Sequence, residues 1–516
     1  MIRTKEQGYL TVYMALVMAV LLTLCMTMID GARRSAMRMQ AEVITYSAMK
    51  SVLAEYNREL ARQYNIFALD SSYGTLHSGA GPVSDHFSEY MNKNYEYDDP
   101  YPWTRSRDFI GTHPENCEVC GFMYLTDNEG VVFRECAIDA IKDDYGINAA
   151  KEVIDWASSA EITTADTMNV SFDMEDKDGT VANAAAAERS RRQAKRAQEE
   201  RDYDAACKEA EEKGEPAPSP PDYTEVPDEY RSPVSKIQET TKTGILGLIL
   251  DDTENLSRRY LDTEKIISGR MEGGIINVGN LGYESSDTGF AEEAVNKALF
   301  GEYLIRYMGY YGNTSEDDAL WYQIEYIISG KETDTENLDQ VVCMIMAIRA
   351  GMDLMYLESD NEKKSEVQAL ATAICTACMI PSMTPTMTHA LLAGWAVAEA
   401  RYDTRTLLEG GKIEFLKSSK TWHTDLDGAL SGNIPGSESK SDTGITYKDY
   451  LRIFLFMCDT DVVTLRAMDI VESDIRLSAG NSFFRMDACM EMIECNADIS
   501  SIFGSRVNIS RKLRYK

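Results

Sequence analysis

Five histidines, two C-x-x-C pairs and two helical glutamates are the residues whose type and spacing could do chemistry. The histidines are His77, His86, His113, His389 and His423. None belongs to an H-E-x-x-H or similar ligand pair, which argues against hydrolytic zinc. Cys117 and Cys120 form one C-x-x-C, and Cys375 and Cys378 the other. A zinc site split between them would need a histidine pair, and a redox motif would need a βαβ frame. Neither accompanies them. Spacing of i,i+3 puts Cys375 and Cys378 on one buried helix face, as ordinary thiol packing. Eleven cysteines leave at least one unpaired within a monomer.

Glu325 lies among Tyr322, Tyr326 and Ile328, and Glu399 lies near Trp395. Either is a candidate buried acid with a raised pKa. A second acid at working distance would point to glycoside chemistry. The competing reading, which we prefer, makes both structural, bonded to tyrosines or paired with Arg349, Arg401 or Arg466. No G-x-S-x-G elbow or Walker A loop is present, and "GGIINVGNLG" reads as a loop. "KETDTENLD" and "ESDNE" lack the EF-hand spacing and read as helix caps. No catalytic, cofactor-binding or metal-ligating residue is assigned, and no cofactor is expected.

These residues sit on a mostly helical chain. "NLDQVVCMIMAIRAGMDLMYLE" carries Leu338, Val341, Val342, Ile345, Ile348, Met352 and Met355 as one stripe, with Asp334 or Thr335 as the cap. "HALLAGWAVAEARYD", "YKDYLRIFLFMC" and "VVTLRAMDIVESDIR" read as further helices, with breaks at Pro381, Pro385 and Gly410-Gly411. Strands are expected at Val119–Leu125, Thr167–Met174 and the C-terminus. At the C-terminus Phe484, Met486, Ala488, Met490 and Met492 alternate with polar positions. The last strands are expected to pair with those near Val119 and Val170, leaving the helices as an insertion in a sheet-bearing base.

The start of the chain decides where all this works. Leu10 to Ile29 are twenty residues without a charge, a helix of roughly 30 Å, matching the hydrocarbon of a bilayer. Nine are Leu, Val or Ile, favouring insertion by roughly 3–5 kcal/mol. A cleaved secretory signal has a shorter apolar core, so a retained anchor is the better reading. Asp30 and Arg34, one turn apart, form a membrane-interface pair. The apolar spacing continues through Val43, Ile44, Ala48, Val52, Leu53, Tyr56 and Leu60, and this helix should end near Tyr64. "NIFALD" then reads as a short strand. Net charge is −32, and residues past 40 hold 47 basic against 82 acidic groups, or −35. Such a surface repels phosphate backbones, so no nucleic-acid partner is expected.

"QGYLTVYMALV" resembles the leader and first helix of type IV pilin-like proteins, in particular the TadE-like pseudopilins of tight-adherence (Flp) pili. The resemblance implies processing after Gly8, leaving Tyr9 as the mature first residue. The fifth mature position, a glutamate in that group, is Tyr13 here. A phenol stays neutral and cannot compensate a neighbour's terminal amine, which argues against polymerisation. "YQIEYIISGK", "LLAGWAVAEARYDTRTLLEGGKIEFLKSSKTW", "YKDYLRIFL" and "RAMDIVE" resemble an uncharacterised membrane-protein family of Gram-positive anaerobes with no established activity.

The expected architecture is α+β and mainly helical. It comprises a cytoplasmic tail (1–8), a transmembrane helix (9–31), a pilin-like base (32–174) and a charged helix with a Pro-rich linker (175–235). A helical domain (236–480) and C-terminal strands rejoining the base sheet (481–516) complete it. The expected function is non-enzymatic: a single-pass membrane protein with its bulk extracellular, serving a Tad/Flp pilus or related surface system. Its partners would be the lipid bilayer and pilus or secretion-platform proteins, with oligomeric state left open. The alternatives are a pseudopilin cleaved after Gly8 and a membrane-anchored cell-wall hydrolase.

Overall fold

The computed structural model describes residues 3–96, 111–142, 245–250, 255–271, 279–281, 290–377, 381–431 and 444–515, and residues 154, 201 and 203 singly. The expected strand Thr167–Met174, the charged helix and linker at 175–235, Val170 and Cys378 lie outside the described residues, apart from residues 201 and 203.

The chain is mainly helical, with one small antiparallel sheet and a long apolar N-terminal helix. Its elements, in order, are α1 (Arg3–Leu53), α2 (Arg58–Tyr64), β1 (Leu69–Asp70), α3 (Ala80–Tyr95), β2 (Thr112–Tyr124) and α4 (Val131–Ile141). Then follow α5 (Ile245–Ile249), α6 (Ile267–Met271), α7 (Phe290–Tyr307), α8 (Gln323–Ser329), α9 (Asp334–Ser359), α10 (Asn361–Ala377) and α11 (Thr384–Leu408). The last are α12 (Leu426–Ser431), α13 (Tyr447–Met457), α14 (Thr460–Leu477), β3 (Cys489–Ser501) and β4 (Arg506–Arg514).

Two halves of α1 behave differently. Tyr9 to Ile29 is almost wholly exposed, whereas Met37, Ala41, Thr45, Ala48, Met49 and Val52 are buried at helical spacing against the sheet and α3. Val43, expected on the packed face, is exposed because that face runs through Ala41 and Thr45 instead. The helix stops at Leu53, short of Tyr64. Asn57 caps a separate α2 by accepting from the Glu59 and Leu60 amides, and Asn65 closes it in the left-handed region at φ 53°.

β3 is the central strand. β2 runs antiparallel along one side of it, with Val119 opposite Cys495 and Phe122 opposite Ile493. β4 lies along the other side, and β1 continues that side with Leu69 opposite Met490. The strand near Val119 and the last strands of the chain therefore share one sheet, with α4 to α14 between them in sequence. Of the positions expected inward at the C-terminus, Phe484, Met486, Ala488 and Met490 are buried, although residues 486–488 form a 3₁₀ turn. The phase changes at a register shift between Met490 and Met492, past which Ile493, Cys495, Ala497 and Ile499 are buried and Met492 is half-buried.

The largest apolar cluster joins α2, α4, α7, α8, α9, α13 and α14. A smaller one links α9, α10, α11 and α12 through Leu357, Val367, Leu392 and Trp395. α9 is capped by Thr333, whose side chain accepts from the Glu336 amide, rather than by Asp334 or Thr335. Its expected stripe is buried from Leu338 to Met352, but Met355 is exposed. By length and composition α9 could cross a membrane, yet half of its apolar window is buried in the protein and it carries charges that are paired there. It is a core helix.

Candidate functional site, a buried ionic clasp

α9 and α11 pack side by side, and each places ionisable residues one turn apart on the shared face. From α9 come Arg349 and Asp353, and from α11 come Glu399 and Asp403, all four fully buried. The loop after α11 supplies Lys417, Thr421, His423 and Thr424. Arg349 donates Nε and Nη2 to Asp403 Oδ2 at 2.9 and 2.5 Å, and Nη2 also to Asp353 Oδ1 at 3.4 Å. Its Nη1 donates to the Phe415 carbonyl at 2.9 Å. Lys417 spends its three donors on Glu399 Oε1 at 2.5 Å, Asp403 Oδ1 at 2.8 Å and the Thr421 carbonyl at 3.0 Å.

Glu399 receives the loop from its other side. Its Oε2 accepts from the Thr424 amide and hydroxyl, both at 2.8 Å, and its Oε1 from the His423 amide at 3.0 Å. Trp395, one turn earlier on α11, donates Nε1 to Thr424 Oγ1 at 3.0 Å, and His423 stacks on Tyr402 at 4.5 Å. The two acids of α11 and the guanidinium of α9 thus fasten the loop from Glu414 to Thr424 across both helices.

The electrostatics follow from this geometry. Burial alone would raise Glu399; hydrogen bonding from His423 and the ammonium of Lys417 outweigh it and hold the carboxyl at about 2. Of the two readings of Glu399, a raised acid and a structural acid paired with a cation, the second fits, with Lys417 as the cation. Asp353 has a weaker claim on Arg349 and leaves Oδ2 without a hydrogen bond. Burial, with the Asp403 charge nearby, pushes it up to about 8 against the pull of Arg349. With Asp353 held as the neutral acid, two cations face two carboxylates.

Glu325 occupies a different setting. Its Oε1 accepts from Tyr447 Oη at 2.7 Å and from the Tyr311 amide at 2.9 Å, and Oε2 has no hydrogen bond. Burial lifts it to about 7, more than those two bonds lower it. Its partners are a tyrosine and an amide remote in sequence, not Tyr322 or Tyr326. Two of the expected arginines, Arg349 and Arg466, serve other groups. Arg349 belongs to Asp403 and Asp353, and Arg466 donates to the Ile327 and Ile328 carbonyls near the end of α8. Two further acids, Asp474 and Asp469, sit buried against Tyr64 and Tyr326 and are pushed up to about 7 and about 6 by burial.

The clasp was only half visible in the chain. Glu399 was singled out, but Asp353, Asp403 and Lys417 were not; two i,i+4 charge pairs beside a Trp and a Lys-rich loop were the available signal. Oxygens of Glu399 and Asp403 and a nitrogen of His423 lie within 4.8 Å of one another. The Lys417 ammonium bonds to both carboxylates and holds the cation position among them. A carboxyl at about 2 cannot deliver a proton near neutrality, and Lys417 is only 2% exposed, so the acid pair is sealed from substrate. The chemistry this arrangement performs is charge compensation.

Among the other residues singled out from sequence, Gly8 lies within α1, and Tyr9 and Tyr13 are exposed on it. Arg34 Nη2 lies 3.0 Å from Asp30 Oδ2. The nine cysteines among the described residues are all unpaired. Burial pushes the thiols of Cys117 to about 11 and Cys136 to about 12, away from the thiolate. "ESDNE" does cap a helix: Asp360 Oδ1 accepts from the Glu362 and Lys363 amides.

No curated protein and no solved structure matches the chain. A family model matches residues 223–501, just over half of the chain, running through the helical body to the end of β3. The chain belongs to that family, DUF5702, a family of unknown function.

Proposed function

We propose that this protein is a non-enzymatic, single-pass membrane protein that holds an acidic helical domain outside the cell. It serves as a component or assembly factor of a Tad/Flp pilus or a related surface system. The observation that carries the reading is the division of α1. Its first half is apolar, long enough to span a bilayer, and without a buried residue in its apolar window, while its second half is part of the domain core. A helix that leaves its apolar half unpacked and docks the other half rigidly suits a domain held close to a membrane. The pilus assignment rests on the resemblance of the stretch around Gly8 and Tyr9. Tyr13, with a phenol where a filament subunit needs a carboxylate, favours an anchored component over a polymerising one.

N-terminal sequencing of protein from membranes and from sheared surface material tests this, with protease applied to intact cells. A Met1 start in membranes and digestion of the acidic bulk from outside are expected. A Tyr9 start in sheared material would make the protein a filament subunit. A start beyond residue 31, or a bulk protected in intact cells, would overturn the proposal.

A further inference from the structure

We propose that the turn joining β3 to β4 is a second membrane contact, seated among anionic lipid headgroups beside the point where α1 leaves the bilayer. This rests on the anchor reading above. The turn carries two adjacent apolar side chains at its tip, Ile502 and Phe503, which are 70% and 52% exposed. Tips of this kind are ordinarily polar, and aromatic rings concentrate at membrane interfaces.

Position gives the pair its meaning. The Arg33 guanidinium carbon lies 4.1 Å from the centroid of the Phe503 ring. Arg33 is four residues past Ile29, where the uncharged run ends, so about 6 Å further along the helix. The headgroup layer is itself roughly 5–7 Å deep on each side. Phe503 therefore lies at headgroup depth, and a modest tilt of α1 toward the sheet lowers it further.

The tip is held in place. The Ile502 amide donates to the Gly111 carbonyl at 2.9 Å and the Ser501 amide to the Ser505 carbonyl at 2.9 Å. Gly504 turns the chain at φ 82°. The Ile502 side chain lies over the α-carbon of Gly111, where an added Cβ would collide with it.

Charge complementarity names the surface. A domain of net −35 past residue 40 is repelled by an anionic leaflet. Near this tip the excess of acid disappears: Arg33 lies over Phe503, and Arg34, Arg38 and Arg506 pair with Asp30, Glu42 and Glu115, so basic groups outnumber acidic ones four to three. Each such cation near an anionic surface draws the segment down, and the effect decays within a Debye length. The rest of the domain is thereby steered away from the membrane while the tip is drawn in.

The test uses the full chain in phosphatidylcholine vesicles, with and without phosphatidylglycerol, carrying Phe503→Trp. Emission of the five native tryptophans is measured on the wild type and subtracted. Phospholipid brominated near the top of its acyl chains should quench the added emission by about half or more, as expected for an interfacial ring. Leu477→Trp, on the exposed end of α14 beyond the span, should be unaffected. Phosphatidylglycerol should deepen the quenching, and Arg33→Glu with Arg506→Glu should abolish that gain. A chain that floats with vesicles while Trp emission at 503 is unquenched overturns the contact and leaves the anchor standing. Blue-shifted but unquenched emission assigns the tip to a protein neighbour, and equal quenching in both lipids removes the arginines' role. A chain that fails to float overturns the anchor and this contact together.

Discussion

Glu399 and Glu325 are both fully buried, yet one carboxyl is held at about 2 and the other lifted to about 7. Between α9 and α11 the acids meet an ammonium, a guanidinium and a row of amides. In the larger apolar cluster Glu325 meets a phenol and one amide. Burial acts on both in the same direction, so the difference comes from what faces each carboxyl: hydrogen bonds from His423 and Thr424 together with the Lys417 ammonium at Glu399, a phenol and an amide at Glu325. A raised acid at the centre of an enzyme-sized domain invites a catalytic reading. Here Glu325, Asp474 and Asp469 are raised with neutral partners in a packed core, and Asp353 is raised beside an arginine that bonds more closely to Asp403, which is what a structural network looks like.

The comparison breaks most visibly if the compensating charge is removed. Lys417→Met keeps most of the side-chain volume and leaves Glu399 and Asp403 facing each other without their shared cation. Breaking a buried pair from one side costs about 3–5 kcal/mol. Unfolding followed by tryptophan fluorescence should register it locally, because Trp395 and Trp422 stand against the loop. A loss below about 1 kcal/mol, the range of an exposed pair, would mean that the clasp contributes little to folding.

The two acids also predict opposite responses to pH. Glu399 is depressed, so its contribution is present above its ordinary value of 4.5 and is lost as pH falls toward about 2. Integrated over that window it is on the order of 3 kcal/mol. Glu325 is raised, so its contribution is complete below 4.5 and is lost as pH rises through about 7. Relative to wild type, Glu399→Gln should be most destabilised near neutrality and recover in acid. Glu325→Gln should cost least at pH 8, where the wild type carries a buried charge. Denaturant midpoints across pH check this, and parallel pH trends for the two variants would erase the distinction.

The helices of this contrast were legible in the chain, and the partners were not. Apolar content and spacing place α9, α11, α13 and α14: α9 buries a stripe from Leu338 to Met352, whereas α11 and α14 are buried on most sides. Where polar contacts decide, the reading slipped. Asn57 splits the first helix with a cap that competes with the helical pattern around it. A register shift between Met490 and Met492 changes the phase of β3 by one residue, which exchanges inner and outer faces beyond it. Glu399 stood out as an acid beside Trp395, but its cation arrives from a loop 18 residues on, and no local rule measures that approach. The pairing of β2 with β3 was accessible for the opposite reason: the last strands carry an apolar face with no nearby partner in sequence, and such a face must be covered.

The smallest effect sharpens the contrast from the neutral side. Tyr447→Phe removes one hydrogen bond to Glu325 and leaves the ring, its packing against Tyr311 included, in place. Losing a single bond of this kind costs about 1 kcal/mol. The phenol favours the carboxylate over the acid, so without it the Glu325 carboxyl should rise further above about 7. The cost should therefore be smaller in acid, where the carboxyl is already protonated, and grow as pH passes neutrality. A cost independent of pH would mean that Glu325 does not titrate across that range, and a cost that is largest in acid would put the division between a charge-compensated and a neutral core wrong on its neutral side.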